Sequence, residues 1–147
     1  MIRGYLERFS GRRRPFVDAR VSLPTLGLAD DVSFLIDTGA DSTVLAPTDA
    51  AYLRIPLTQL PPGLPTAGVG GRVPTLTVPA VIGLGHHSLP LTLRILAPAA
   101  RRQTQALRTI PSLLGRDMLA HFALFLEERT QRVMLLEPHE VRALRFP

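Results

Sequence analysis

The chain has 147 residues, a net charge of +5, and 46% apolar against 20% charged side chains. That describes one domain able to build its own core, not a disordered or fibrous protein. Cysteine is absent, which excludes disulfides, thiolate zinc sites and a cysteine nucleophile, and all the basic residues are arginine, as in the runs Arg12-Arg13-Arg14 and Arg101-Arg102.

Residues 2–9 alternate loosely, as an edge strand does. Ser10-Gly11-Arg12 turns the chain, and the arginine run reads as a solvated loop. Residues 16–23 alternate cleanly, with Val17, Ala19, Val21 and Leu23 apolar, and predict a half-buried strand. Leu28-Ala29-Asp30-Asp31 is expected to be a polar turn, and residues 32–36 a strand that delivers Asp37 into the tight turn Asp37-Thr38-Gly39. A carboxylate at the end of a buried strand is unusual, because an unpaired charge inside a core costs several kcal/mol. Residues 44–46 are a short strand, and Pro47-Thr48-Asp49 starts a helix of one or two turns. The proline-rich residues 55–65 form a surface loop.

The glycine-rich segment Gly68-Val69-Gly70-Gly71 lies between strand-formers and suits a hairpin tip. It is not a phosphate-binding loop, since the lysine, the full glycine spacing and a following helix are all missing. Residues 73–84 and 88–96 predict two strands around Gly85-His86-His87. His86 and His87 have no carboxylate or further histidine at ligand spacing, so no metal is expected. Residues 97–109 read as a short helix or an exposed loop. In Ile110-Pro111-Ser112-Leu113-Leu114-Gly115-Arg116-Asp117, a short buried strand leads into a helix over 116–121. Residues 123–127 and 132–136 predict a hairpin, and 137–144 a terminal helix with Val141 and Leu144 inward.

No apolar run in residues 1–20 is long enough for a signal peptide, and the mainly apolar residues 73–96 are broken by Pro74, Pro79, His86, His87, Pro90 and Arg94. The expectation is a cytoplasmic protein without a membrane partner. No aromatic residues interleave with the arginines, so nucleic acid is not an expected partner either.

Three segments in this order, Leu35-Ile36-Asp37-Thr38-Gly39-Ala40, Gly68-Val69-Gly70-Gly71 and Leu113-Leu114-Gly115-Arg116-Asp117-Met118-Leu119, resemble the active-site loop, flap and glycine-arginine segment of retropepsin-like aspartic proteases. The resemblance covers roughly residues 16–136 of a single domain spanning 1–147, and the arginine- and proline-rich composition suits a bacterial member. It implies an all-β, one-lobed acid-protease barrel with one short helix in its C-terminal half, assembled as a C2 homodimer. It implies further that Asp37 is catalytic, that the Thr38 hydroxyl bonds across the twofold axis, and that the Gly39 carbonyl meets substrate. By the same resemblance Ala40, Asp41 and Leu113 line the substrate site, and Gly68, Val69, Gly70 and Gly71 form a flap over it. Arg116 falls where the family supports Asp41, so an Asp41–Arg116 ion pair is expected.

The chemistry adds a requirement of its own. Peptide hydrolysis of this kind uses two carboxylates that share one proton, one acting as base toward water and the other as acid toward the carbonyl oxygen. One Asp-Thr-Gly in a chain this short supplies one carboxylate, so the second must come from another copy. The expected activity is that of an aspartic endopeptidase acting on peptide or protein substrates without a cofactor, with apolar residues flanking the cut bond. The alternative is a catalytically silent module of the same fold that binds peptide.

Overall fold

A computed structural model describes residues 1–68, 71–97 and 110–145. Strands β1 (Ile2–Phe9) and β2 (Arg12–Leu23) form a hairpin, and β2 pairs along its second part with β3 (Leu28–Ile36). The two-residue strand β4 (Val44–Leu45) leads into helix α1 (Pro47–Tyr52). A separate hairpin of β5 (Thr66–Gly68) and β6 (Gly71–Val73) precedes the long pair β7 (Thr75–Leu84) and β8 (His87–Leu96). Then come β9 (Ser112–Leu114), helix α2 (Arg116–Leu119), the hairpin β10 (Ala123–Glu127) and β11 (Arg132–Leu136), and helix α3 (Pro138–Ala143).

Nine strands run in the order β10-β11-β1-β2-β3-β9-β4-β8-β7, and β7 pairs back onto β2, which closes the last six of them into a barrel. The alternation read from sequence is what fills it. Val17, Ala19, Val21 and Leu23 of β2 point inward with Val78, Ala80, Ile82 and Leu84 of β7 and Leu93 and Ile95 of β8. At the end of β3 the alternation gives way to three consecutive buried residues, Phe34, Leu35 and Ile36. There the strand lies between neighbours on both sides and is covered on both faces, the setting that favours an unbroken apolar run.

Four expectations need correction. The chain does not turn at residues 28–31. The turn is the short helical segment Pro24–Leu26, closed by Gly27 at φ 65°, and Asp30 and Asp31 already lie in β3. Arg20 stands directly opposite Asp31, with Nη1 at 3.3 Å from Asp31 and 3.8 Å from Asp30, so the acidic pair is compatible with a strand edge. The arginines 12–14 are likewise strand residues of β2, and the Arg14 guanidinium lies 5.9 Å from the centre of the Phe9 ring. Leu144 does not point inward: it is 45% exposed, just past the end of α3. Helix α2 is also shorter than the expected 116–121, and the region predicted as helix or loop at 97–109 lies, beyond Ala97, outside the described residues. No helix among the described residues is long and apolar enough to cross a membrane.

Candidate active site

Strand β9 inserts between the two legs of one loop. It runs parallel to the end of β3, with Phe34 opposite Ser112, Leu35 opposite Leu113 and Ile36 opposite Leu114. On its other side Leu113 faces Val44 of β4. The loop that joins β3 to β4, residues 37–43, must therefore pass over the end of β9. Asp37 is its first residue, and its amide donates to the Leu114 carbonyl at 3.1 Å. The Asp37 carbonyl accepts the Ala40 amide at 3.2 Å, and its side-chain Oδ1 accepts the Gly39 amide at 2.9 Å. The turn is thus tied to its own first residue, and the half-buried carboxylate is held at the rim of the barrel. Thr38 and Gly39 are exposed at the tip of the turn.

The far side of the loop is fastened to the start of α2. Ala40 and Asp41 offer their carbonyls to the Arg116 and Asp117 amides at 2.8 and 3.2 Å. The Thr43 side chain is fully buried. Its hydroxyl donates to Asp117 Oδ1 at 2.6 Å and accepts the Gly115 amide at 3.1 Å. The Thr43 amide donates to both carboxylate oxygens of Asp117 at 2.9 Å, and Oδ1 accepts the Met118 amide as well. Gly115 is required for want of space. A Cβ there would stand 2.4 Å from the Ser42 carbonyl carbon and 2.8 Å from the Thr43 nitrogen, both backbone atoms that cannot move aside.

The expected Asp41–Arg116 contact is present at 3.9 Å, with side chains 93% and 69% exposed. An ion pair so open to water contributes little within one chain. Leu113 is half-buried and packs in a small apolar cluster with Val44, Leu96, Ile110 and Val73. Val73 is the last residue of β6, so this cluster joins the base of the glycine-rich hairpin to the floor beside Asp37. In that hairpin Thr66 pairs with Val73, Ala67 with Arg72 and Gly68 with Gly71, and Gly71 has φ 114°, a conformation open to glycine and strained for other residues. Val69 and Gly70, expected near the tip, lie outside the described residues.

The structure thus gathers Asp37, Thr38, Gly39, Ala40, Asp41 and Arg116 into two mutually bonded turns, and places Leu113 beneath them. Three polar residues of this frame are not among the expected site residues. Thr43 is one; the others are Ser112, buried in β9, and Asp49, in the first turn of α1. The Ser112 hydroxyl accepts the Ala46 amide at 2.8 Å and donates to Asp49 Oδ2 at 2.5 Å. Among the described residues no three His, Cys, Asp or Glu side chains are grouped as a metal site requires.

A family model described as aspartyl protease matches residues 25–117. Among solved structures, the chain is similar to a retropepsin-like aspartic protease from Rickettsia conorii, at 16% identity and a TM-score of 0.57, over 90% of this chain and 87% of that one. It is similar also to the EIAV protease, solved with the inhibitor HBY-793, at 22% identity and a TM-score of 0.54, over 78% of this chain and 92% of that one. At such identities the likeness speaks for the fold. None of the curated proteins matches the sequence.

Proposed function

The chain belongs to the aspartyl protease family and has the retropepsin-like fold, and on that premise we propose that it is an endopeptidase working as a C2 homodimer, with one Asp37 from each subunit at the axis. The observation that carries this reading is the Asp37 carboxylate itself. It stands half-buried at the end of β3, on a turn braced from both sides, and among the described residues it accepts one hydrogen bond, from Gly39. A carboxylate fixed in position but left with unfilled lone pairs is available to water and substrate.

In the dimer the two Asp37 carboxyl groups share one proton, since two adjacent negative charges repel. The ionised group takes a proton from the bound water as its oxygen adds to the peptide carbonyl carbon. The protonated group gives its proton to the carbonyl oxygen, producing a neutral tetrahedral diol. Collapse of the diol returns one hydroxyl proton to a carboxylate and the other carboxyl protonates the departing nitrogen, so the C–N bond breaks and the dyad is restored. The β5–β6 hairpin serves as the flap, and an extended peptide lies between it and the Asp37 loop, paired by its backbone. Thr38 bonds across the axis, Gly39, Ala40 and Asp41 meet the peptide, and Arg116 steadies Asp41. The cluster of Val44, Val73, Leu96, Ile110 and Leu113 favours apolar side chains beside the cut bond.

The test is cleavage of a mixed peptide library across roughly pH 3 to 7, the interval in which a shared-proton dyad titrates. Wild type and Asp37→Asn are compared, and the mass in solution is measured alongside. A dimer that cleaves on the acid side, with the variant inert, is the expected result. A dimer that cuts nothing at any pH would make the protein a peptide-binding module, and equal activity in the variant would remove Asp37 from the chemistry.

A further inference from the structure

Strand β9 carries two things the proposed reaction depends on. Leu114 supplies the carbonyl that holds the Asp37 amide, and Leu113 lies on the cleft floor. The strand is three residues long. Its C-terminal end is pinned by Gly115 and Asp117 against Thr43, as described. At its N-terminal end Ser112 is paired in the ladder with Phe34, and the residue before it, Pro111, has no amide hydrogen to extend that pairing.

At that end the fold uses a side chain. The buried Ser112 hydroxyl accepts a hydrogen bond from the Ala46 amide and donates one to Asp49 Oδ2 at 2.5 Å, the short distance of a hydroxyl bonded to a carboxylate. Asp49 itself cannot drift, since α1 is seated in the core through Ala50 and, at its end, Leu53. Ser112 is also opposite Phe34 in the ladder, three residues before Asp37. A slip of β9 along its axis would therefore carry the Leu114 carbonyl away from the Asp37 amide and Leu113 out of the floor together.

Resting on the protease reading, we propose that Asp49 is a positioning residue: through Ser112 it fixes β9 along the strand axis and so sets the place of both Asp37 and Leu113. Asp49 touches neither the scissile bond nor the water. Its effect reaches the site through one hydroxyl and a three-residue strand.

The test compares Asp49→Ala, Asp49→Asn, Ser112→Ala and the double variant Asp49→Ala/Ser112→Ala. Peptide cleavage is one readout, and hydrogen exchange at the Asp37 amide is the other, with amides of β7 and β8 as the internal reference. Asp49→Ala and Ser112→Ala should each lower kcat/KM by about tenfold or more. Each should also speed exchange at Asp37 by about tenfold while the reference amides stay unchanged. Asp49→Asn, which keeps an oxygen to accept the Ser112 hydroxyl, should retain most of both, and the double variant should be no worse than Ser112→Ala alone. Unchanged exchange at Asp37 in Asp49→Ala would overturn the proposal, as would an Asn variant as impaired as the alanine one. If Asp49→Ala does not fold, Ser112→Ala decides; if neither folds, the contact is a general support and the proposal fails. A wild type that cleaves nothing would end the protease reading, while the exchange data would still decide the role of Asp49.

Discussion

Two carboxylates on one pair of bonded turns have opposite surroundings. Asp117 accepts from the Thr43 amide, the Thr43 hydroxyl and the Met118 amide, and its partner Thr43 is fully buried. Asp37, on the same pair of turns, accepts from the Gly39 amide alone among the described residues. One carboxylate is consumed in holding the loops together and the other keeps open lone pairs, as the proposed reaction requires. On the proposed reading the difference separates support from chemistry: the filled carboxylate makes the frame rigid, and that rigidity lets the unfilled one stay in place without partners of its own.

The largest effect is expected at Asp37. Asp37→Asn should lower peptide cleavage by about a thousandfold or more, yet shift unfolding free energy by less than about 0.5 kcal/mol, because the amide oxygen can still accept from Gly39. Next is Gly115→Ala, whose new methyl meets backbone at 2.4 Å; urea unfolding should show a loss of about 3 kcal/mol. Asp117→Ala leaves a buried hydroxyl and a buried amide of Thr43 without their acceptor, a loss of about 2 kcal/mol in the same measurement. Activity in that variant should fall further than the fraction folded accounts for, because the frame that holds Asp37 in place is loosened. An Asp117→Asn variant that folds normally but cuts nothing would show that support and chemistry are not separate after all.

A third carboxylate sharpens the contrast at small scale. The Thr130 hydroxyl, aided by the Thr130 and Arg129 amides, holds Glu127 below the usual glutamate value of 4.5, against a smaller opposing effect of burial. A lowered value means the contribution to stability is complete above pH 4.5 and is lost as pH falls through the lowered one. The Arg129 and Thr130 amide shifts should therefore titrate with a midpoint below 4.5, and Glu127→Gln should abolish that titration. Such a filled but exposed carboxylate should matter locally, with no effect on cleavage.

The parts of the molecule that could be read in advance are those built from neighbours in the chain. The alternation in residues 16–23 and the hairpin of β10 and β11 follow from local pattern, as does the turn at Asp37. The frame behind the turn was hidden because its bonds span long separations: Thr43 and Asp117 are 74 residues apart, and Asp49 and Ser112 are 63. A threonine, a serine and two aspartates give no periodicity from which such partners could be inferred. Asp30 and Asp31 lie in a strand that their sequence disguises, for a related reason. Two adjacent acids suggest a turn, and Arg20, the residue that makes them acceptable in a strand, comes from the neighbouring strand. Leu144 looked inward by helical spacing, but α3 ends one residue too soon to bring it there.

Strand β1 divides its pairing. Residues 2–4 bond to β11 and residues 5–9 to β2, so Ile2 meets Leu135 from the opposite end of the sequence. Contacts of such range are slow to find, because their closure entropy comes before any gain. During synthesis residues 2–4 must wait until β11 has emerged from the ribosome. A growing chain can fold its β2–β3 hairpin early, but the sheet that adjoins it can close only once β11 has been made.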